Sequence, residues 1–107
     1  MIKIQDKGSF NTITVNKMNH KSENSSIQIL GNNNTVYVES RCSFTDFRLI
    51  VRGDNNHIII KRGVWFLGGA ISVASFSELE IGERSSFGSR LEFVIESAKV
   101  SIGDDCM

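Results

Sequence analysis

Proline is absent from this 107-residue sequence, alanine is scarce, and no segment has the apolar periodicity of an amphipathic helix. Turns therefore have to be made by glycine, asparagine and serine, which suit tight backbone conformations. These residues separate short runs of isoleucine, valine, leucine and phenylalanine. Such runs are typical of many short strands, so the composition favours an all-β fold.

An excess of charge and long hydrophobic segments are missing as well. Twelve basic residues balance twelve acidic ones, so no net field would attract nucleic acid or an anionic lipid surface. No apolar run is long enough to span a membrane, and residues 1–10 lack the apolar stretch of a secretory signal. We therefore expect a cytoplasmic protein, with residues 1–107 forming a single domain.

One phrase recurs along the chain: it reads GSFNTITV from Gly8, GNNNTVYV from Gly31 and GDNNHIII from Gly53. The last apolar residue of the phrase recurs at steps of 23, 22, 21 and 21 residues, at Val15, Val38, Ile60, Ile81 and Ile102. A recurring period of 21 to 23 residues indicates a repeat architecture.

Each repeat contains three short segments in which two apolar residues alternate, so that both lie on one face of a strand. The first segment holds Ile13 and Val15, Val36 and Val38, Ile58 and Ile60, Leu79 and Ile81, Val100 and Ile102. The second holds Cys42 and Phe44, Val64 and Phe66, Ser85 and Phe87, then Cys106, and Ser85 is the one polar exception to the pattern. The third holds Ile27 and Ile29, Leu49 and Val51, Ile71 and Val73, Phe93 and Ile95.

Three short strands in about 21 residues describe one triangular coil of a parallel β-helix, with neighbouring coils about 4.8 Å apart. A stack of about five coils encloses a continuous core that one coil cannot bury alone. We predict an irregular first coil over residues 1–30, because Asn19 and Lys21 fall where later coils have core residues. Regular coils are predicted over residues 31–107, with the last coil cut in its middle.

Asparagine dominates one position of this ladder, which holds Asn11, Asn34, Asn56 and then Ser77. Asparagine tolerates the left-handed conformation of a sharp corner, and its amide can bond the backbone or the amide of the next coil. A calcium site is the alternative use of such a polar corner, but aspartate is too sparse to supply the ligands. We therefore expect no bound metal.

The histidines and cysteines are weak candidates for chemistry. His57 shares an outward ladder position with Thr12, Thr35, Glu78 and Lys99. The pattern suggests no carboxylate partner for it, so we interpret His57, like His20, as a surface residue rather than a general base. Cys42 and Cys106 lie three coils apart, or roughly 14 Å, which is too far for a disulfide. We expect both cysteines to be reduced core thiols.

Several apolar side chains are predicted to face outward. Trp65 alternates with Val64 and Phe66, so it points away from the core and could stack on a carbohydrate. Other outward positions hold Tyr37, Ile50, Ile59 and Val94. If these form a contiguous patch, they indicate an interface, and self-association is the open alternative to scattered surface residues.

Two later segments have a more specific form: IGERSSFGS begins at Ile81, and VSIGDDCM begins at Val100. An aliphatic residue, a glycine and four variable residues form the unit of hexapeptide-repeat acyltransferases. VSIGDDCM resembles bacterial sugar and polysaccharide O-acetyltransferases of that superfamily. The resemblance implies a left-handed parallel β-helix, acetyl-CoA as donor, a sugar hydroxyl as acceptor, and a homo-oligomer, often a trimer, with active sites between subunits.

The catalytic residue that this resemblance implies has no counterpart here. Such enzymes use a histidine as general base, in a segment that follows the IGDDCM-like stretch, and this sequence ends at Met107. We therefore assign no catalytic residue and no residue that binds the donor. The chain is expected to be the N-terminal part of an acetyltransferase and inactive alone. The alternative is a non-enzymatic β-helix that serves as a scaffold or binding module.

Overall fold

A computed structural model describes residues 3–15, 21–23, 25–88 and 92–104. Among these residues, no helix has the length and hydrophobicity needed to cross a membrane. Their regular elements are the strands β1 (Lys3–Asp6), β2 (Thr12–Val15), β3 (Lys21–Glu23), β4 (Ser26–Ile29), β5 (Thr35–Val38), β6 (Ser43–Thr45), β7 (Phe47–Val51), β8 (His57–Ile60), β9 (Trp65–Phe66), β10 (Gly69–Ala74), β11 (Glu78–Ile81), β12 (Ser86–Phe87), β13 (Glu92–Glu96) and β14 (Lys99–Ile102).

The strands form three parallel sheets, and each turn of the chain contributes one strand to each sheet. Sheet A has the order β1-β4-β7-β10-β13, sheet B the order β14-β11-β8-β5-β2, and sheet C the order β12-β9-β6-β3. Fourteen strands at three to a turn amount to between four and five turns of a parallel β-solenoid. This architecture confirms the predicted parallel β-helix.

The core consists of the alternating residues that the repeat predicts. In sheet B the register joins Ile13 to Val36, Val36 to Ile58, Ile58 to Leu79, and Leu79 to Val100. In sheet A the same register joins Ile27, Leu49, Ile71 and Phe93. The central members of both ladders are fully buried. Each coil therefore places its apolar residues directly on those of its neighbours, and the core runs along the stack.

A column of phenylalanine rings runs through sheet C. The Phe66 ring stacks on Phe44 at 5.5 Å and on Phe87 at 5.1 Å between ring centroids, as the repeat predicts. Phe47 joins the column, which the sequence reading did not anticipate, and its centroid lies 4.1 Å from that of Phe66. Phe47 pairs in register with Gly69 on β10.

The ladder of asparagines forms the predicted hydrogen bonds between coils. Oδ1 of Asn34 accepts the backbone N–H of Asn56 at 2.9 Å and its Nδ2 at 3.0 Å. Oδ1 of Asn56 in turn accepts the backbone N–H of Ser77 at 2.9 Å. Oδ1 of Asn11 accepts the backbone N–H of Asn34 at 2.9 Å. The amides therefore continue, in the interior, the hydrogen bonding of the adjacent sheet.

The predicted left-handed conformation belongs to the residue before each ladder asparagine, so that part of the prediction is wrong. Residues with φ between 47° and 60° at this corner are Phe10, Asn33, Asn55, Phe76 and Ser97. The tight bend comes first and turns the following side chain inward, where its amide meets the next coil.

The first coil also differs from its predicted alignment. Lys21 pairs with Ser43 and Ser22 pairs with Phe44, whereas the sequence reading set Lys21 opposite Phe44. The connection from β2 to β3 is one residue longer than the one from β5 to β6, which shifts the register. Strand β1 was not anticipated, and it places Ile4 beside Ile27. Asn19 lies outside the described residues.

Candidate functional site

The two hexapeptides stack directly on each other at the corner between sheets B and C. Ile81 pairs with Ile102, and the N–H of Gly82 donates to the carbonyl of Ile102 at 2.7 Å. A Cβ atom on Gly82 would collide with Asp104, whose backbone nitrogen would lie only 2.6 Å away. The glycine of the hexapeptide is therefore required by the close approach of the next coil.

The polar residues of this corner bond the backbone of the neighbouring coil. Oδ1 of Asp104 accepts the N–H of Glu83 at 2.8 Å. The buried Ser85 hydroxyl donates to the carbonyl of Gly103 at 2.9 Å. Ser85 is the polar exception among the predicted core positions, and this bond explains how the core accommodates its hydroxyl. The serine-rich SSFGS stretch thus begins with a structural residue rather than an exposed nucleophile.

His57 lies on the exposed outer face of β8, as its ladder position predicts. A carboxylate neighbour that the sequence analysis did not name is Glu78, the register partner of His57 on β11. Oε2 of Glu78 lies 3.5 Å from Nζ of Lys99, so this carboxylate pairs with the lysine. The ladder position itself carried the signal for this neighbour. His20 lies outside the described residues.

The asparagine and aspartate side chains at the corner between sheets A and B bond to the backbone. Oδ1 of Asp54 accepts the N–H of Asn32 at 2.9 Å, and Oδ1 of Asn32 accepts the N–H of Ser9 at 2.8 Å. Within residues 3–15, 21–23, 25–88 and 92–104, no group of three or more histidine, cysteine, aspartate or glutamate side chains could hold a metal ion. The polar side chains of this corner join neighbouring coils by hydrogen bonds.

Cys42 is a buried thiol in the column that also contains Val64. Its Sγ lies 3.2 Å from the carbonyl oxygen of Lys61, to which the thiol donates. Burial raises the pKa of Cys42 above its usual value, so the thiol stays protonated and unreactive near neutral pH. This environment fits the predicted role as a core thiol. Cys106 lies outside the described residues.

The outer face of sheet C carries the aromatic side chain that sequence reasoning assigned to the surface. Trp65 is 48% exposed, and Leu67, two residues later, is 53% exposed. Tyr37 and Ile59 are register partners on the outer face of sheet B and are partly exposed. Val94 is 79% exposed on sheet A. The predicted outward orientation is therefore correct for these residues, and the exposed apolar residues are spread over all three sheets.

Known proteins match this fold over nearly the whole chain. No protein-family model matches the sequence. A polysialic acid O-acetyltransferase from Neisseria meningitidis is 28% identical over 102 residues, which are 95% of this chain and 47% of that protein. The crystal structure of the polySia specific acetyltransferase NeuO is similar with a TM-score of 0.86 and 31% identity, covering 99% of this chain and 45% of that chain.

The chain thus spans about half the length of the relatives that it matches. The agreement in sequence and in fold extends the resemblance seen in the hexapeptides back to the first coils. This chain is therefore similar, over almost all of its length, to the N-terminal portion of a sugar O-acetyltransferase built on a parallel β-solenoid.

Proposed function

We propose that this chain is the N-terminal part of an acetyl-CoA-dependent O-acetyltransferase that modifies a hydroxyl of a sugar or polysaccharide. In this reaction the acceptor oxygen forms an ester bond with the acetyl carbon, the thioester bond breaks, and the acceptor proton passes to the departing thiolate through a general base. One observation carries the proposal: hexapeptides stack in register on a solenoid similar to NeuO over 99% of the chain.

The described residues are suited to a rigid support rather than to proton transfer. The phenylalanine column and the asparagine ladder are buried and well bonded, which favours a stiff stack on which later residues can be positioned precisely. His57 is exposed, and the carboxylate beside it is paired with Lys99. We propose that the base lies beyond residue 107 and that His57 is not part of the chemistry.

The donor, the assembly and the location follow from the same resemblance. We propose acetyl-CoA as the acyl donor, held by later coils and by a neighbouring subunit of a homo-trimer. We also propose that the protein acts in the cytoplasm. A non-enzymatic scaffold remains the competing function, and it predicts that neither this chain nor any longer product of the same gene transfers acetyl groups.

The test compares the 107-residue chain with the product of the entire open reading frame. Release of the CoA thiol in the presence of sugar acceptors is the readout, and calorimetry measures acetyl-CoA binding. We expect turnover and saturable binding for the longer product and neither for the 107-residue chain. His57→Ala in the longer product should leave the rate near that of the wild type, with His57→Gln as the matched control.

Two results would contradict the proposal. If the longer product neither binds nor consumes acetyl-CoA, the scaffold function is favoured. If His57→Ala reduces the rate by about 10²–10⁴-fold, which is the loss typical of a missing general base, the base has been assigned to the wrong part of the protein.

A further inference from the structure

The outer face of sheet A carries charges of opposite sign in two separate rows. Arg48 lies on β7 and Arg52 directly follows that strand, and both side chains are exposed. Glu92 and Glu96 are the first and last residues of β13 and are exposed as well. In each pair the two residues are four positions apart, which is roughly 13 Å along a strand. The face therefore has a basic row and an acidic row of equal length.

Strand β10 lies between these two rows and presents only small side chains outward. Ala70, Ser72 and Ala74 are half-buried and alternate with core residues of the strand. A shallow groove therefore runs between the basic and the acidic row. The register aligns the outward residues of the three strands in columns, which are Arg48, Ala70 and Glu92; Ile50, Ser72 and Val94; Arg52, Ala74 and Glu96.

The four charged side chains of this face form no ion pair with residues 3–15, 21–23, 25–88 or 92–104. The ion pairs within those ranges lie elsewhere and join Lys61 to Glu80, Arg84 to Glu83, and Lys99 to Glu78. Two strand spacings of about 4.8 Å separate the basic row from the acidic row, or roughly 9.6 Å, which is longer than an ion-pair contact. The two rows can therefore be neutralised by a second molecule.

We infer that the outer face of sheet A binds the same face of a second copy of this chain, around a two-fold axis that runs along β10. Rotation about this axis exchanges the rows, so Arg48 faces Glu92 of the partner subunit and Arg52 faces Glu96 of the partner subunit. A two-fold contact repeats every pair, which gives four ion pairs. The exposed Val94 packs on Ile50 of the partner subunit.

The charges distinguish this arrangement from the other two-fold pairing of the same faces. An axis at right angles to the strands would place each basic row on the basic row of the other copy, and like charges in contact are repulsive. The favoured pairing sets the two solenoid axes in opposite directions. A two-fold contact closes a pair, so it is separate from the proposed trimer. The inference does not rest on the proposed acetyl transfer.

The size of the contact sets its strength. Three strands that are about 17 Å long and about 4.8 Å apart cover roughly 240 Å² on each copy. A stable complex buries about 800 Å² on each partner, so the pairing should be weak and reversible in this chain. Because the ion pairs lie at the surface, added salt should weaken the pairing further.

The test reverses the charge of one row at a time and uses sedimentation equilibrium at high protein concentration and low salt. The acidic variant combines Arg48→Glu with Arg52→Glu, and the basic variant combines Glu92→Arg with Glu96→Arg. Each should self-associate at least about tenfold more weakly than the wild type, because both copies then present like charges. An equal mixture of the two variants should form a mixed dimer, and the fourfold variant should again self-associate.

Two controls separate this face from other surfaces and from net charge. The combination of Arg62→Glu with Lys99→Glu changes the net charge as much as the acidic variant does, on exposed positions outside sheet A, and should behave like the wild type. Ser72→Lys places a lysine on the two-fold axis against its own copy and should weaken pairing. Ser101→Lys, on the exposed face of sheet B, should not. Circular dichroism establishes that each variant is folded.

The inference is overturned if the wild type does not self-associate, or if the acidic and basic variants form no mixed dimer. It is also overturned if the wild type and both reversed variants associate equally, because another surface then makes the contact. Pairing that follows the charges in a longer product that transfers no acetyl group would refute the proposed function alone. Acetyl transfer without this pairing would refute the inference alone.

Discussion

Asn56 lies in the middle of the buried amide ladder, and its replacement by alanine removes three hydrogen bonds at once. The side chain accepts the N–H of Ser77 at 2.9 Å and donates to Oδ1 of Asn34 and to the carbonyl of Arg52, both at 3.0 Å. Asn56 and Ser77 are both 0% exposed, so water cannot reach the N–H of Ser77 in the folded protein. The variant therefore leaves a buried donor without an acceptor.

The expected loss follows from these contacts. An unpaired buried N–H costs about 1–3 kcal/mol. The carbonyl of Arg52 also loses the amide, whereas Oδ1 of Asn34 keeps the backbone N–H of residue 56. With the small cavity added, Asn56→Ala should lower the free energy of unfolding by about 2–4 kcal/mol. Asn56→Ser should lose less, because Oγ of Ser77 already accepts the N–H of Ala98 at 3.4 Å in the same ladder position.

Urea denaturation followed by circular dichroism and by tryptophan emission measures these differences. Asn32→Ala is the matched control, because this exposed asparagine at the same corner bonds the N–H of Ser9 from the solvent side. Its loss should stay below about 1 kcal/mol, since water can take over the bond. The reasoning is refuted if Asn56→Ala is as stable as the wild type, or if the two alanine variants lose equal amounts.

Further variants test the core, the corners and the buried thiol. Phe66→Ala should cost about 3–5 kcal/mol in the same denaturation assay, because its fully buried ring stacks on three others, and a loss under about 1 kcal/mol would contradict the register. Phe76→Asn should raise stability by about 1 kcal/mol, since φ of 60° is unfavourable for phenylalanine and tolerated by asparagine, and a clear loss would show that the ring packs on the protein. Burial raises the pKa of Cys42, so the thiol loses its proton at a lower pH in the unfolded chain than in the folded protein. The free energy of unfolding should therefore fall as the pH rises above 9.0, and Cys42→Ala should make this fall less steep. The assignment of Cys42 as a buried, protonated thiol would be contradicted if the free energy of unfolding fell equally steeply with pH in Cys42→Ala and in the wild type. The relevant window is roughly pH 8 to pH 10, around the usual thiol pKa.

The coil and its core could be predicted because an inward position returns after every turn of a solenoid. Alternation of apolar residues within each strand identified the ladders, and the structure keeps their register. Phe47 escaped this reading because the chain bends at Asp46, with φ of 50°, so a residue three positions after Phe44 faces inward again. Alternation predicts orientation within a strand and fails where a corner intervenes.

The surface was less predictable than the core. Ladder positions do show which outward residues are neighbours, and they carried the information that Glu78 adjoins His57 and that Arg41 and Arg84 flank Gly63. They do not show how far a side chain leans over the next coil, as the stem of Arg84 does over Gly63. The sequence also cannot tell apart the roles of Asn33 and Asn34, which are the same residue type. The backbone shows that Asn33 makes the bend and that Asn34 belongs to the buried ladder.

Ester formation on a polysaccharide is the most direct test of the proposed acetyltransferase. The product of the entire open reading frame is incubated with acetyl-CoA and sialic acid oligomers, and the glycan is analysed by mass spectrometry and by NMR of the acetyl methyl group. We predict O-acetylated glycan from the longer product and unchanged glycan from the 107-residue chain alone. Unmodified glycan in every reaction, across acidic and neutral acceptors, would contradict the account, as would acetylated glycan from the 107-residue chain.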